Sequence, residues 1–171
     1  MADFFKEVLK FTLIAVAIVI PIRTFVAQPF IVSGPSMNPT FVSSEYLIVD
    51  QLTYHFNDPQ RGDAIIFRYP RNPQTYFIKR IIGLPGESLS VRKGVIKVNG
   101  TVIEDNFAKK PIPEGDNFDI ELGETEYFVM GDNRAESSDS RIWGPLERKF
   151  IVGRPILSLY PLSKIGIFPG K

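Results

Sequence analysis

The chain has 171 residues, 44% of them hydrophobic, with a formal net charge of +1, one histidine and no cysteine. That length allows one domain with an appendage and a sizeable core. Near-neutral charge leaves no basic surface for nucleic acid, and the missing cysteines exclude disulfides, thiolate catalysis and cysteine-ligated zinc. A single histidine gives no reason to expect a catalytic metal, and nothing implies a nucleotide or other cofactor. Fourteen prolines and thirteen glycines, spread along the chain, suggest many short strands joined by turns.

Residues 1–29 differ from the rest. The uncharged run Phe11–Ile22 is shorter than the roughly 20 residues that cross a bilayer. Phe4, Phe5, Val8 and Leu9 extend it, with Lys6 and Lys10 snorkelling to one interface and Arg23 to the other. A cleaved signal peptide has a similar layout, but no small-x-small site follows the run. A buried core helix fits on length alone. The favoured expectation is an uncleaved membrane anchor over 1–29 and a β-rich domain over 30–171. Two lysines before the span and one arginine after it put the N-terminus in the cytoplasm and the domain on the far side.

Gly34-Pro35-Ser36-Met37-Asn38-Pro39-Thr40 follows the apolar residues Phe30, Ile31 and Val32. Glycine and proline fix the backbone around one hydroxyl. A serine becomes a useful nucleophile only with a base in reach. The histidine, His55, lies in the polar loop stretch 54–59. Lys79 is the other candidate, inside the strand expected over Gln74–Leu84. On that strand Phe77, Lys79 and Ile81 share one face, and Ile78, Arg80 and Ile82 the other. Burial among apolar neighbours would depress the lysine pKa and leave a neutral amine, and a Ser-Lys pair is a known variant of the serine triad. Read alone, the two segments favour a turn serine and a lysine on a solvated strand face over a catalytic pair.

Other strands are expected over Tyr46–Leu52, Ala64–Phe67, Asp119–Leu122, Tyr127–Met130 and Ile151–Tyr160. Asn99-Gly100 between Val95–Val98 and Thr101–Ile103 spells a tight hairpin, which also accounts for the glycosylation-like Asn99-Gly100-Thr101. Arg61-Gly62-Asp63 reads as a charged turn before a strand. Residues 105–118 read as a surface loop without chemistry. The stretch 131–144 is dense in hydroxyls and charges; Asp139 and Arg141 fit a bidentate pair, and Ser137 or Ser138 could hydrogen-bond a neutral lysine.

Together these segments resemble the type I signal peptidases, membrane-anchored Ser-Lys proteases. An anchor comes first, then Ser36-Met37-Asn38-Pro39-Thr40, Arg61–Phe67, Phe77–Glu87, and Gly131-Asp132-Asn133-Arg134 with Ser137, Asp139, Ser140, Arg141 and Trp143-Gly144. Four boxes in order over nearly the whole chain make the resemblance specific. It implies a mostly β fold of coiled antiparallel sheets behind one transmembrane helix. It implies Ser36 as nucleophile, Lys79 as general base, Ser137 orienting the lysine, and Asp139 with Arg141 as a supporting ion pair. Val32, Met37, Phe41, Phe77 and Ile78 would form pockets for small side chains. The substrates implied are signal-peptide-bearing preproteins, cut after small-x-small sites by a monomer on the lipid of an inner or thylakoid-type membrane. One departure concerns Gly34, where many members carry a serine that serves the oxyanion hole. The hole must then rest on backbone N–H groups, that of Ser36 first. Two other classes remain: a non-catalytic, membrane-anchored module that binds peptides, and a self-cleaving Ser-Lys repressor, for which residues 1–29 are too apolar to supply a DNA-binding helix pair.

Overall fold

A computed structural model describes residues 1–21, 26–108, 112–113 and 115–170. Helix α1 covers Ala2–Pro21. Strands β1 (Ala27–Ile31) and β2 (Tyr46–Asp50) flank the serine segment, and the short helix α2 (Thr53–Phe56) follows. Next come β3 (Ala64–Tyr69), β4 (Asn72–Gly83), β5 (Ser88–Arg92), β6 (Val95–Val98) and β7 (Thr101–Val102). The chain continues with β8 (Phe118–Glu121), β9 (Glu126–Met130), α3 (Ser140–Trp143), β10 (Leu146–Glu147), β11 (Ile151–Tyr160) and β12 (Gly166–Ile167).

The main sheet runs in the order β1-β2-β11-β3-β4-β9-β10, with β12 paired to β11. A smaller sheet runs β7-β6-β5-β8, and the strand pairs of both sheets are antiparallel among the described residues. The expectation of a mostly β, antiparallel chain behind an N-terminal helix therefore holds. Asn99 (φ 50°) and Gly100 (φ 80°) make the two-residue β6–β7 turn, and positive φ at both matches the twist of the flanking strands. Strand β5 is harder to see in the sequence because only Leu89 and Val91 point inward, between serines and an arginine.

Strand β4 is central because both its faces are covered. Ile81 and Phe77 belong to one apolar cluster with Ile65, Phe67, Val129 and Leu146. On the other face Ile82 packs in the small-sheet core and Ile78 against Val32, Met37, Phe41, Leu47 and Ala64. Lys79 and Arg80, in the middle of this strand, are 4% and 0% exposed.

The helix expected to span a bilayer is present as a helix, but no helix among the described residues is long and apolar enough to cross a membrane. Lys6, Glu7 and Lys10 interrupt its first half. The uncharged remainder from Phe11 to Pro21 spans about 16 Å, against a hydrocarbon core of roughly 30 Å. From Phe4 to Pro21 it is exposed on all sides, including Phe4, Phe5, Leu9, Phe11 and Leu13. Arg23 lies outside the described residues.

Candidate active site

Ser36 sits in the turn between β1 and β2. The N–H of Asn38 donates to Pro35 O (3.0 Å) and that of Phe41 to Met37 O (3.0 Å), closing one helical turn just after the serine. Met37 and Phe41, four residues apart, are fully buried and anchor this turn in the core. Lys79 reaches the serine from β4, 43 positions along the chain, with Nζ 2.8 Å from Ser36 Oγ and 2.9 Å from Ile78 O. His55 is exposed, its Nδ1 at 2.8 Å from Gln51 O on its own turn.

Burial pushes the Lys79 amine down from 10.5 to about 8, against an opposing pull from the Asp139 and Asp132 carboxylates. Nζ also lies 5.2 Å from the centroid of the Phe77 ring, so one wall of its pocket is aromatic. As an ammonium the group donates to Oγ. As a neutral amine it keeps an N–H for Ile78 O and can turn its lone pair to the serine proton.

The 131–144 stretch fixes this pair from behind. The N–H of Asn133 donates to Ser36 O (3.0 Å) and its Nδ2 to Pro35 O (3.3 Å). A Cβ built on Gly131 would lie 2.4 Å from Ser36 O and 2.3 Å from Ser137 Oγ, so only glycine lets this strand end meet the serine backbone. Asp139 takes the Gly131 N–H (3.0 Å) and a bidentate pair from Arg141, with Nε and Nη2 both at 2.9 Å. Burial would raise the Asp139 carboxyl, but Arg141, the Gly131 N–H and Ser137 outweigh it and hold it below its usual range. The expected Asp139–Arg141 pair is thus formed. Ser137 Oγ is enclosed without a partner of hydrogen-bond geometry, close enough to Asp139 to help keep it charged, and it is not bonded to Lys79. Ser138 lines the cleft beside Lys79.

Arg80 carries more than its expected charge. Nε and Nη2 grip Asp132 at 2.8 and 2.7 Å, Nη1 donates to Gly62 O and Gly170 O, and the guanidinium lies 3.6 Å from the Phe107 ring centroid. Thr40 Oγ1 donates to the same Asp132 at 2.6 Å. Residues 105–118 are therefore not a bare surface loop. Besides Phe107, Asp105 pairs with fully buried Arg134, and Asp116 takes Arg141 Nη1 at 2.8 Å. The sequence signal available was charge: Asp105 and Asp116 in that loop match Arg134 and Arg141 in the following motif.

In front of the pair lies a cleft of about 230 Å³, lined mostly by apolar side chains. Val32, Phe77 and Ile78 line it, with Gly34, Phe30 and Tyr76. Met37 and Phe41 do not; they lie beneath it in the core. Gly34 has φ +89° and open space where a side chain would stand.

A family model described as signal peptidase, peptidase S26, matches residues 5–160. Among curated relatives, the signal peptidase I of Leptolyngbya laminosa is 38% identical over 90% of this chain and 78% of its own length. A signal peptidase I P of Bacillus subtilis subsp. natto is 36% identical over 92% and 90%. A probable thylakoidal processing peptidase 2 of Arabidopsis thaliana is 33% identical over 94% of this chain and 45% of that protein. Among solved structures, a signal peptidase I from Enterococcus faecalis V583 matches with TM-score 0.51 and 30% identity, over 57% of this chain and 97% of that one.

Proposed function

The chain belongs to the signal peptidase family, peptidase S26, and on that premise we propose that it removes N-terminal signal peptides from secretory preproteins with Ser36 as nucleophile and Lys79 as general base. Family membership makes it a serine peptidase. The observation that carries the assignment is the 2.8 Å contact between a buried amine and the hydroxyl at the mouth of an apolar cleft. Ser36 Oγ attacks the scissile carbonyl carbon while neutral Lys79 takes its proton. The developing oxyanion is met by backbone N–H groups, that of Ser36 first. The C–N bond then breaks, the Lys79 ammonium protonates the leaving amine, and a water deprotonated by Lys79 hydrolyses the ester.

The shallow apolar cleft with Val32, Phe77 and Ile78 supports a preference for small side chains before the cut, while Met37 and Phe41 hold its floor. Asp139 and Arg141 hold the Gly131 end of β9 against the Ser36 backbone, and Ser137, enclosed beside Asp139, supports that pair and not the lysine directly. The exposed apolar surface of α1 supports attachment of a monomer to membrane lipid, an inner or thylakoid-type membrane being the setting in keeping with its relatives.

The test is cleavage of a preprotein bearing an Ala-x-Ala site. Wild type should release the signal peptide, and S36A and K79A should each lose activity to background. A K79A variant that still cuts would remove the lysine from its role, and a cutting S36A would remove the serine. Binding of the preprotein without cleavage by wild type would instead support a peptide-binding module.

A further inference from the structure

We propose that the segment after β11, residues 161–170, is a clasp that sets the geometry of the serine turn, with Lys164 and Gly170 as positioning residues. It rests on the reading of Ser36 as nucleophile.

The turn holding Ser36 has few strand contacts of its own, and the carbonyls just beyond it are gripped from the far end of the chain. Lys164 Nζ donates to Pro39 O at 2.8 Å and to Thr40 O at 3.3 Å, three and four residues past the serine. Gly170 approaches the same turn from another side. A Cβ there would lie 2.8 Å from the tip of the Phe41 ring, and its φ of +92° suits glycine. Gly170 O also accepts from Arg80 Nη1 at 2.7 Å, and Arg80 holds the Asp132 that Thr40 bonds.

The clasp is itself secured. Gly166–Ile167 pair with Leu157 and Ser158, and the Phe168 N–H donates to Ile156 O at 2.8 Å. Ser158 Oγ in turn donates to buried Glu45 at 2.7 Å, and Glu45 takes the Val42 N–H at 2.9 Å, closing the turn at its other end. Four contact points, Pro39, Thr40, Phe41 and Glu45, thus tie the serine turn to β11 and the segment that follows it. The 131–144 stretch holds the serine's other side through Ser36 O. Ser36 Oγ is fixed only as well as both grips are. Loss of the Lys164 bonds frees two carbonyls and lets the turn drift from Lys79, and a shift on the order of 1 Å costs up to 10²-fold in rate.

The experiment is steady-state cleavage of a peptide substrate by the full chain, with thermal melts to establish that each variant is folded. K164M should lower kcat about 10-fold with KM within about twofold, because the cleft lining is untouched. K164R, which keeps charged donors, should recover most of that loss; a merely structural lysine would give lower melting temperatures but normal turnover in folded protein. G170A should show the same kcat loss through Phe41, and it replaces K164M in the comparison if K164M does not fold. Wild-type kcat in the folded variants, or a K164M loss that K164R does not repair, overturns the clasp. An inactive S36A beside a normal K164M would undo the clasp alone, whereas an active S36A would undo the reading beneath it.

Discussion

Replacing Lys79 with methionine should destroy cleavage and yet make the fold more stable near neutral pH. In the native protein the amine titrates near 8 instead of 10.5, because burial penalises its charged form. Below about pH 8 it is protonated in both folded and unfolded chains, and the whole penalty of about 3 kcal/mol is present. Between about 8 and 10.5 the unfolded chain holds more proton, so stability rises with pH, and above that range the penalty is gone. Methionine fills similar space without charge but leaves Ile78 O and Ser36 Oγ without their donor, at about 1 kcal/mol each. The variant should therefore be more stable by about 1 kcal/mol near pH 7 and less stable by about 2 kcal/mol near pH 10.5. Urea titrations of both proteins across that range measure the difference directly, since every other titrating group cancels. A difference that stays constant with pH would mean that the amine is not desolvated in the folded protein.

The same shift sets the pH dependence of turnover: kcat/KM should rise with pH through about 8 as Lys79 loses its proton, and an acid limb near 6 would point to a different base. G131A should lose at least about 100-fold in kcat while remaining folded, because the new methyl can be accommodated only by moving the Ser36 backbone; near-normal turnover would show that the contact is slack. R141Q should leave the Asp139 carboxylate less occupied and drive the acid limb to higher pH, so that its activity recovers in alkaline buffer; an unmoved limb would separate the ion pair from the base. D105N should lower the melting temperature by several degrees, because it deprives fully buried Arg134 of its charged partner; an unchanged melt would mean that Arg134 is solvated.

What the sequence made legible follows from periodicity and turn chemistry. Strand β4 alternates cleanly enough to put Phe77, Lys79 and Ile81 on one side, and the structure keeps them there. Asn99-Gly100 announces its own hairpin. Less could be read where tertiary contacts decide. Periodicity puts Arg80 on the face opposite the lysine, and only the fold shows that Asp132, two carbonyls and the Phe107 ring enclose it. Met37 and Phe41 have the size and position of pocket residues, but a turn that closes from Met37 to Phe41 points both into the core. The first helix shows the limit of hydropathy. Its apolar residues are real, but four charged residues in its first half leave too short a run to cross a bilayer. Lys164 and Gly170 carry no local signal, because their importance depends on a chain end returning to a turn well over a hundred residues earlier.

The buried charges around Lys79 explain how its pKa falls to about 8 in an acidic neighbourhood. Asp139 and Asp132 both favour its proton, and either one left unpaired at that depth would hold the lysine as an ammonium. Neither is unpaired: Asp139 is taken by Arg141 and the Gly131 N–H, and Asp132 by Arg80 and Thr40. The arginines are buried in turn and need partners of their own. Arg141 finds Asp116, Arg134 finds Asp105, and Arg80 finds the carbonyls of Gly62 and Gly170. The alternation of sign thus runs from Lys79 to Asp105 and Asp116, which explains why acids stand at those two positions. Apolar walls alone would lower the lysine pKa only while no carboxylate nearby was free, and the outer pairs are what meet that condition.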